Sequence, residues 1–277
     1  MAVFHMSAKA ISRSSGRSAT ASAAYRAGQE IEDQRTGEVH DYRRKSGVRE
    51  TEVMTPHDAP EWMQDRSKLW NAIEHSERRK DSQVAREVEI ALPRELDHDE
   101  QRELVRGYVQ SQFVDSGMIA DVAIHDGHKA TDGGEQPHAH VLLTMRRIDD
   151  SKEHGFGAKE REWNGKERLE GWRERWADHT NHALEWAHEE SREAGRADGE
   201  PPQVDHRSLA DQRQDALTLG RDQKAQELDR EPETKAGPAA TALERRGHET
   251  DRGGLRRQVQ DARRRLVDEL QHVRDQI

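Results

Sequence analysis

The chain has no cysteine, which excludes disulfides, thiolate nucleophiles and cysteine-ligated metal centres. Aromatic residues are scarce, with three phenylalanines and three tyrosines in 277 residues. Any tyrosine chemistry must therefore come from Tyr25, Tyr42 or Tyr108. No apolar run approaches the roughly 18 residues that read as a membrane span, so no membrane insertion is expected. The amino terminus has too short an apolar core for a secretory signal and no typical cleavage site. With the absent cysteine, this leads to the expectation of a cytoplasmic protein. Acid is missing from residues 1–29, which carry Lys9, Arg13, Arg17 and Arg26 before the first carboxylate at Glu30.

Hydrophobic residues make up 31% of the chain and charged residues 36%. That is too polar for all of it to pack into one core. The apolar segments cluster in the first two thirds, so residues 1–210 are expected to form one domain. Residues 211–277 then form a charged linker and a helical or disordered tail. The net charge of −10 argues at first sight against nucleic acid. The distribution does not, because the acids concentrate at 95–104, 160–174 and 185–200 while the amino-terminal segment is purely basic. A local basic face can hold a phosphate backbone on an acidic protein, and Lys9, Arg13, Arg17 and Arg26 are its candidates. The plainer reading of scattered charge is a solvated helix surface.

The most informative motif is Pro137-His138-Ala139-His140, which opens the apolar run Val141-Leu142-Leu143. Side chains alternate faces along a strand, so His138 and His140 share a side. His125 ends another short apolar run, and it joins them if 119–125 and 138–145 pair as neighbouring strands. Three neutral imidazoles on one sheet face would bind a divalent metal and leave coordination positions open. Imidazoles accept Mn or Zn, and a phosphate reaction also admits Mg. The alternative is two surface histidines on a polar strand face.

The stretch Arg86-Glu87-Val88-Glu89-Ile90-Ala91-Leu92-Pro93 alternates as a strand. It puts Glu87 and Glu89 on one face and Val88, Ile90 and Leu92 on the other. Two carboxylates on one strand face are usually the solvent side of a sheet. Beside a histidine-lined face they become candidates to orient an imidazole or accept a proton. Further strands are expected at 2–7 and within 35–42. Helices are expected over 18–29, 59–79, 97–113, 169–192 and 253–277. Trp172, Trp176 and Trp186 mark a packing stripe on the fourth of these, and 126–136 reads as a mobile loop. The order β-α-β-α-β-α-β-β-α predicts an α+β fold, a central and mainly antiparallel sheet flanked by helices.

These segments together resemble the MobA/MobL family of plasmid mobilisation relaxases, within the HUH endonucleases. The resemblance rests first on Phe4-His5-Met6-Ser7-Ala8-Lys9, Ser12-Arg13-Ser14-Ser15-Gly16-Arg17-Ser18-Ala19 and Ala23-Ala24-Tyr25-Arg26. It continues with the strand at 86–93, with Ala123-Ile124-His125 and with Pro137-His138-Ala139-His140. It ends with Trp172-Arg173-Glu174-Arg175-Trp176-Ala177-Asp178 and Val204-Asp205-His206-Arg207-Ser208-Leu209. A lone His-x-His is weak, whereas this ordered set is specific.

The resemblance implies an HUH relaxase-like fold and a nick in one DNA strand at a plasmid origin of transfer. Tyr25 would then be the nucleophile that forms a 5′-phosphotyrosyl link, and His125, His138 and His140 the metal ligands. Glu87 and Glu89 match the family's acidic strand. Implied partners are single-stranded DNA, accessory mobilisation proteins and a type IV secretion coupling protein. After Leu209 the pattern departs, with Lys235-Ala236 where the family has His-Leu. No P-loop follows, so a relaxase domain with a short tail is expected. The alternatives are a rolling-circle initiator or transposase of the same class, a non-catalytic DNA-binding regulator, or a metallohydrolase using a metal-bound water. Tyr25 precedes the histidines, which favours the relaxase over the initiators.

Overall fold

In chain order, the amino-terminal part runs β1 (Met6–Ser12), α1 (Ala19–Ala27), β2 (Glu30–Asp33), β3 (Glu38–Asp41), β4 (Val48–Met54) and α2 (Arg66–Ser76). It continues with β5 (Gln83–Ala91), α3 (His98–Val109), β6 (Ala120–His125), β7 (His138–Leu143), β8 (Arg146–Ile148), β9 (Phe156–Lys159) and α4 (Lys166–Glu193). The computed structural model describes residues 3–127, 134–231, 237, 240, 243–244 and 246–274. Five strands form the central sheet in the order β1-β5-β7-β6-β4, and every neighbouring pair is antiparallel. The fold is therefore α+β, as the element order predicts.

Strand alternation separates two cores. Val88 and Ile90 of β5, Val122 and Ile124 of β6, and Ala139, Val141 and Leu143 of β7 pack against Val105, Tyr108 and Val109 of α3 and Trp172 and Trp176 of α4. The opposite face carries Leu142 and meets Ala19, Ala23 and Ala24 of α1 and Leu69, Trp70 and Ile73 of α2. Both faces of the central strands are covered, so β6 is buried along its whole length. The small side chains of α1 let its backbone lie close to the sheet. Ser18 Oγ accepts from the Ala21 amide at 3.0 Å and starts that helix. Gly28 ends it in the left-handed region at φ 62°, where a side chain is strained.

Charged side chains fix the two helices on this face. Asp121 of β6 is buried and accepts from Arg66 Nε at 2.9 Å and Trp70 Nε1 at 2.8 Å. Arg66 Nη1 also donates to Gln29 Oε1 at 3.0 Å. Burial pushes the Asp121 carboxyl up, and Arg66 and Trp70 pull against that push. Glu74, fully buried on α2, accepts from the Ala19 amide at the start of α1 at 2.6 Å.

Arg13, a DNA-contact candidate in the sequence, is engaged here as an internal clamp. Its Nε and Nη2 both bond Glu74 Oε2, at 2.9 and 2.6 Å. Its remaining donors reach the carbonyls of Glu74, Glu77 and Arg79. A guanidinium has five N–H donors, and all are engaged inside the protein.

Several boundaries differ from the sequence expectation. The first strand is 6–12 rather than 2–7, because backbone pairing with β5 across Ala8, Lys9 and Ala10 outweighs their weak apolar pattern. Strand β4 is new. It is a half-buried edge strand whose Glu50 and Glu52 break up the apolar signal, yet it pairs with β6 through Met54↔Ala120. The 59–79 helix is split at Asp65, whose side chain accepts from the Lys68 amide and caps α2. Helix α4 keeps Trp172 and Trp176 buried, but Trp186 is 71% exposed and leaves the packing stripe. Residues 128–133 of the expected loop, and Lys235-Ala236, lie outside the described residues.

The chain divides into two units, Met1–His206 and Arg207–Ile277. The second holds α5 (Leu209–Thr218), α6 (Asp222–Leu228) and α7 (Asp251–Arg274). There Ala216, Ala225 and Leu228 form a small cluster, so part of the segment read as linker has packed helices. Among the described residues, no helix is long and apolar enough to cross a membrane.

Replacing Asp121 with Ala leaves the Arg66 guanidinium buried without its carboxylate. Urea unfolding is expected to show a loss of about 3–5 kcal/mol. An Asp121→Leu, Arg66→Met pair is expected to recover most of it, because no unpaired charge then remains.

Candidate active site

Beyond the end of α1, the second face of the sheet carries His125, His138 and His140. His125 lies directly opposite His138 in the β6–β7 register, and His140 follows two residues along β7. Their rings form a near-equilateral triangle with centroid separations of 5.3, 4.9 and 5.0 Å. One ring nitrogen from each lies within 4.8 Å of the others. The expected triad is thus assembled by the pairing that the sequence pattern suggested.

The other nitrogen of each ring has a fixed partner. His125 Nε2 donates to the Arg26 carbonyl at 2.8 Å, and His138 Nδ1 donates to the Gln136 carbonyl at 3.1 Å. His140 Nδ1 lies 2.9 Å from Glu87 Oε1. A carbonyl can only accept, so the partners select the tautomers. The lone pairs left are on Nδ1 of His125 and Nε2 of His138 and His140. Burial pulls the His125 imidazole down to about 4. Burial also lowers His140, with Glu87 acting in the opposite sense. Tautomer-fixed imidazoles of this kind fit a divalent metal. An all-nitrogen set suits Zn better than Mg, which prefers oxygen ligands.

Glu87 is the charged hub beside the triad. Its side chain is 1% exposed and accepts from Arg26 Nε at 2.5 Å. Lys9 Nζ approaches its second oxygen at 2.9 Å. Burial pushes the Glu87 carboxyl up, but the His140 and Arg26 bonds and the Arg26 charge outweigh burial and hold it well below the usual carboxylate range. Glu89 sits opposite His140 in the β5–β7 register. It lies 3.7 Å from His5 Nε2 and 3.9 Å from His140 Nδ1. The bond to His5 is the main cause that brings Glu89 down to about 2. Of the two carboxylates, Glu87 lies closer to His140 Nδ1 and is the one placed to orient that ring.

Tyr25 lies in the last turn of α1 and is 43% exposed. The final carbonyls of a helix have no partner within it, and here they tie the helix end to the site. The Ala24 carbonyl accepts from Gly28 N, closing the cap. The Tyr25 carbonyl accepts from Lys45 Nζ at 2.8 Å, and the Arg26 carbonyl accepts from His125. The residue after Tyr25 is therefore bonded directly to a ligand of the triad. Tyr42 meets the Tyr25 ring edge-on, with centroids 5.1 Å apart and planes at 87°.

The four basic candidates have different placements. Lys9 and Arg26 reach the site but are paired with Glu87. Arg13 is the internal clamp described above. Arg17 is exposed, with no ion pair among the described residues. The sequence reading missed Lys45, although the run Arg43-Arg44-Lys45 directly after Tyr42 was a visible signal. Tyr108 is buried core, and its hydroxyl donates to the Trp172 carbonyl at 2.9 Å.

Removing the Glu87 carboxylate frees the His140 ring and leaves Lys9 and Arg26 without their shared partner. Titration calorimetry of Glu87→Ala with manganese is expected to show affinity weakened by about 10- to 100-fold. In His138→Ala, binding at this site is expected to be lost.

The MobA/MobL family profile matches residues 17–246. The mobilization protein MobL of Acidithiobacillus ferridurans is 34% identical over 91% of this chain and 66% of its own length. A probable mobilization protein MobA of Bifidobacterium longum is 30% identical over 100% of this chain and 50% of its own length. The chain thus spans half to about two thirds of these relatives. A solved structure described as the molecular basis of vancomycin resistance transfer in Staphylococcus aureus is 34% identical. It has a TM-score of 0.63 and covers 75% of this chain and 100% of that one. With the histidine triad, the tyrosine-bearing helix and the antiparallel sheet all in place, the chain belongs to the MobA/MobL family.

Proposed function

We propose that the protein is a relaxase that nicks one strand of DNA at a plasmid origin of transfer, with Tyr25 as the nucleophile. The observation that carries this reading is the hydrogen bond from His125 to the Arg26 carbonyl. It fixes the end of the tyrosine-bearing helix to the metal-ligating face. Family membership and the mobilisation relatives support the same reading.

His125, His138 and His140 would hold the divalent ion. When bound, it supplies stabilisation for charge developing on the scissile phosphate. The chain's own residues do the rest. Glu87 orients His140, while Arg26 and Lys9 balance its charge. The partly exposed Tyr25 ring offers its hydroxyl to the phosphate. The Tyr25 Oη–phosphorus bond replaces the bond between phosphorus and the 3′ oxygen. The phenolic proton ends on the released 3′ hydroxyl. The covalent link keeps the phosphodiester energy, and the strand can be rejoined by the reverse attack.

Single-stranded DNA is the substrate in this reading. Accessory mobilisation proteins and a type IV secretion coupling protein are its partners, in the cytoplasm. A site without a tyrosine nucleophile, using a metal-bound water, would cut DNA without a covalent product.

The test incubates the protein with single-stranded DNA from the intergenic regions of its replicon, with manganese, and seeks an adduct that survives boiling in detergent. The expected outcome is an adduct with the wild type, none with Tyr25→Phe, none after chelation by EDTA, and recovery on adding manganese back. Cleavage without an adduct, unchanged in Tyr25→Phe, would overturn the proposal in favour of a water nucleophile. Specific binding without cleavage would leave a DNA-binding regulator.

A further inference from the structure

Lys45 sits between β3 and β4 and behaves unlike an ordinary loop lysine. Such side chains normally carry their ammonium into water. This one turns back over α1. Its Nζ donates to the Tyr25 carbonyl at 2.8 Å and lies 4.1 Å above the centre of the Tyr25 ring. Among the described residues no carboxylate is within ion-pair distance of it. Burial, with the Arg26 charge as the next cause, brings the ammonium down to about 8, a cost that the contacts with Tyr25 must offset.

The segment that carries Lys45 is itself anchored. The Tyr42 amide donates to the Gln29 carbonyl at 3.1 Å, and the Lys45 amide donates to the Tyr42 carbonyl at 2.9 Å. Gly28 makes room for this segment. A Cβ there would lie 3.3 Å from Val48 Cγ2 and 3.7 Å from the Tyr42 carbonyl. Tyr42 closes on the Tyr25 ring from the side, and the Arg26 guanidinium stands 5.1 Å from its centre.

We infer that Lys45 is a positioning residue for Tyr25, holding the helix-end carbonyl and the ring face of the nucleophile at once. A half-exposed tyrosine on a helix end would otherwise exchange among rotamers. The ammonium over the ring and the edge of Tyr42 select one of them. A cation over an aromatic face is attracted by the ring's negative π face, which favours one rotamer over its competitors. Attack on a phosphate is sensitive to such placement, since a 1 Å error costs about 10²-fold in rate.

The activity arm of the test rests on the relaxase reading, and a second arm does not. In single-turnover cleavage, Lys45→Met is expected to slow adduct formation by about 10- to 100-fold. Its DNA affinity is expected to stay within roughly threefold, because the residue acts on the step and not on binding. Lys45→Arg, which keeps a donor and a cation for the ring, is expected to restore most of the rate. A loss confined to affinity would show that Lys45 is a plain phosphate contact and would overturn the inference.

In the second arm, the full chain is made with 3-fluorotyrosine, whose three fluorine signals are assigned with Tyr25→Phe and Tyr42→Phe, which leave Tyr108 as the third. The Tyr25 signal is expected to shift and narrow in Lys45→Met and to return towards its wild-type position in Lys45→Arg. The signal of buried Tyr108 reports that the fold is intact. An unmoved Tyr25 signal overturns the inference whatever the DNA result. If the wild type forms no adduct, the relaxase reading fails and the fluorine signals alone decide the role of Lys45.

Discussion

The candidate site depends on one hydrogen bond, from the His125 imidazole to the Arg26 carbonyl. A helix must end with carbonyls unmet by its own amides. Here those carbonyls are answered by Gly28, by Lys45 and by a ligand of the triad. The bond performs two tasks. It fixes the His125 tautomer, leaving Nδ1 for a metal, and it sets the tyrosine-bearing helix at a fixed place on the sheet. The helix end approaches because α1 is built of alanines on its buried face and its cap is a glycine beside the 42–48 segment.

Charge around the triad is gathered on one buried carboxylate. Glu87 serves Lys9, Arg26 and His140 together. Lys9 and Arg26 thereby share one buried carboxylate, while Lys45 meets the Tyr25 carbonyl and ring instead. The same logic appears deeper in the fold, where Asp121 and Glu74 each join a helix on one face to the rest of the unit. Buried ion pairs of this kind give little net stability, but they specify which helix lies where.

Much of this arrangement was legible in the sequence because it follows from period-two alternation. On β5, Val88 and Ile90 fall into one core while Glu87 and Glu89 face the histidines. On β7, His138 and His140 share a face for the same reason. The capped helices α1 and α3 were equally readable, since Ser18 and Asp97 bond the first amides as N-caps do. Less legible were the edges. Strands β1 and β4 gain much of their stability from backbone pairing, which no side-chain pattern records. Trp186 holds a helical spacing that suggests burial, yet it is exposed.

The sequence by itself determined which residues share a face, because side-chain direction is a local consequence of backbone geometry. That was enough to bring together three histidines and two glutamates. Only the tertiary structure decided what each charge does. Arg13 and Arg26 look alike in the amino-terminal segment, and they end as a clamp on Glu74 and a partner of Glu87. Lys45, in a loop with no periodic signal, ends above the Tyr25 ring. Those outcomes depend on which distant groups arrive within hydrogen-bond reach, a property of the packed chain that local spacing does not encode.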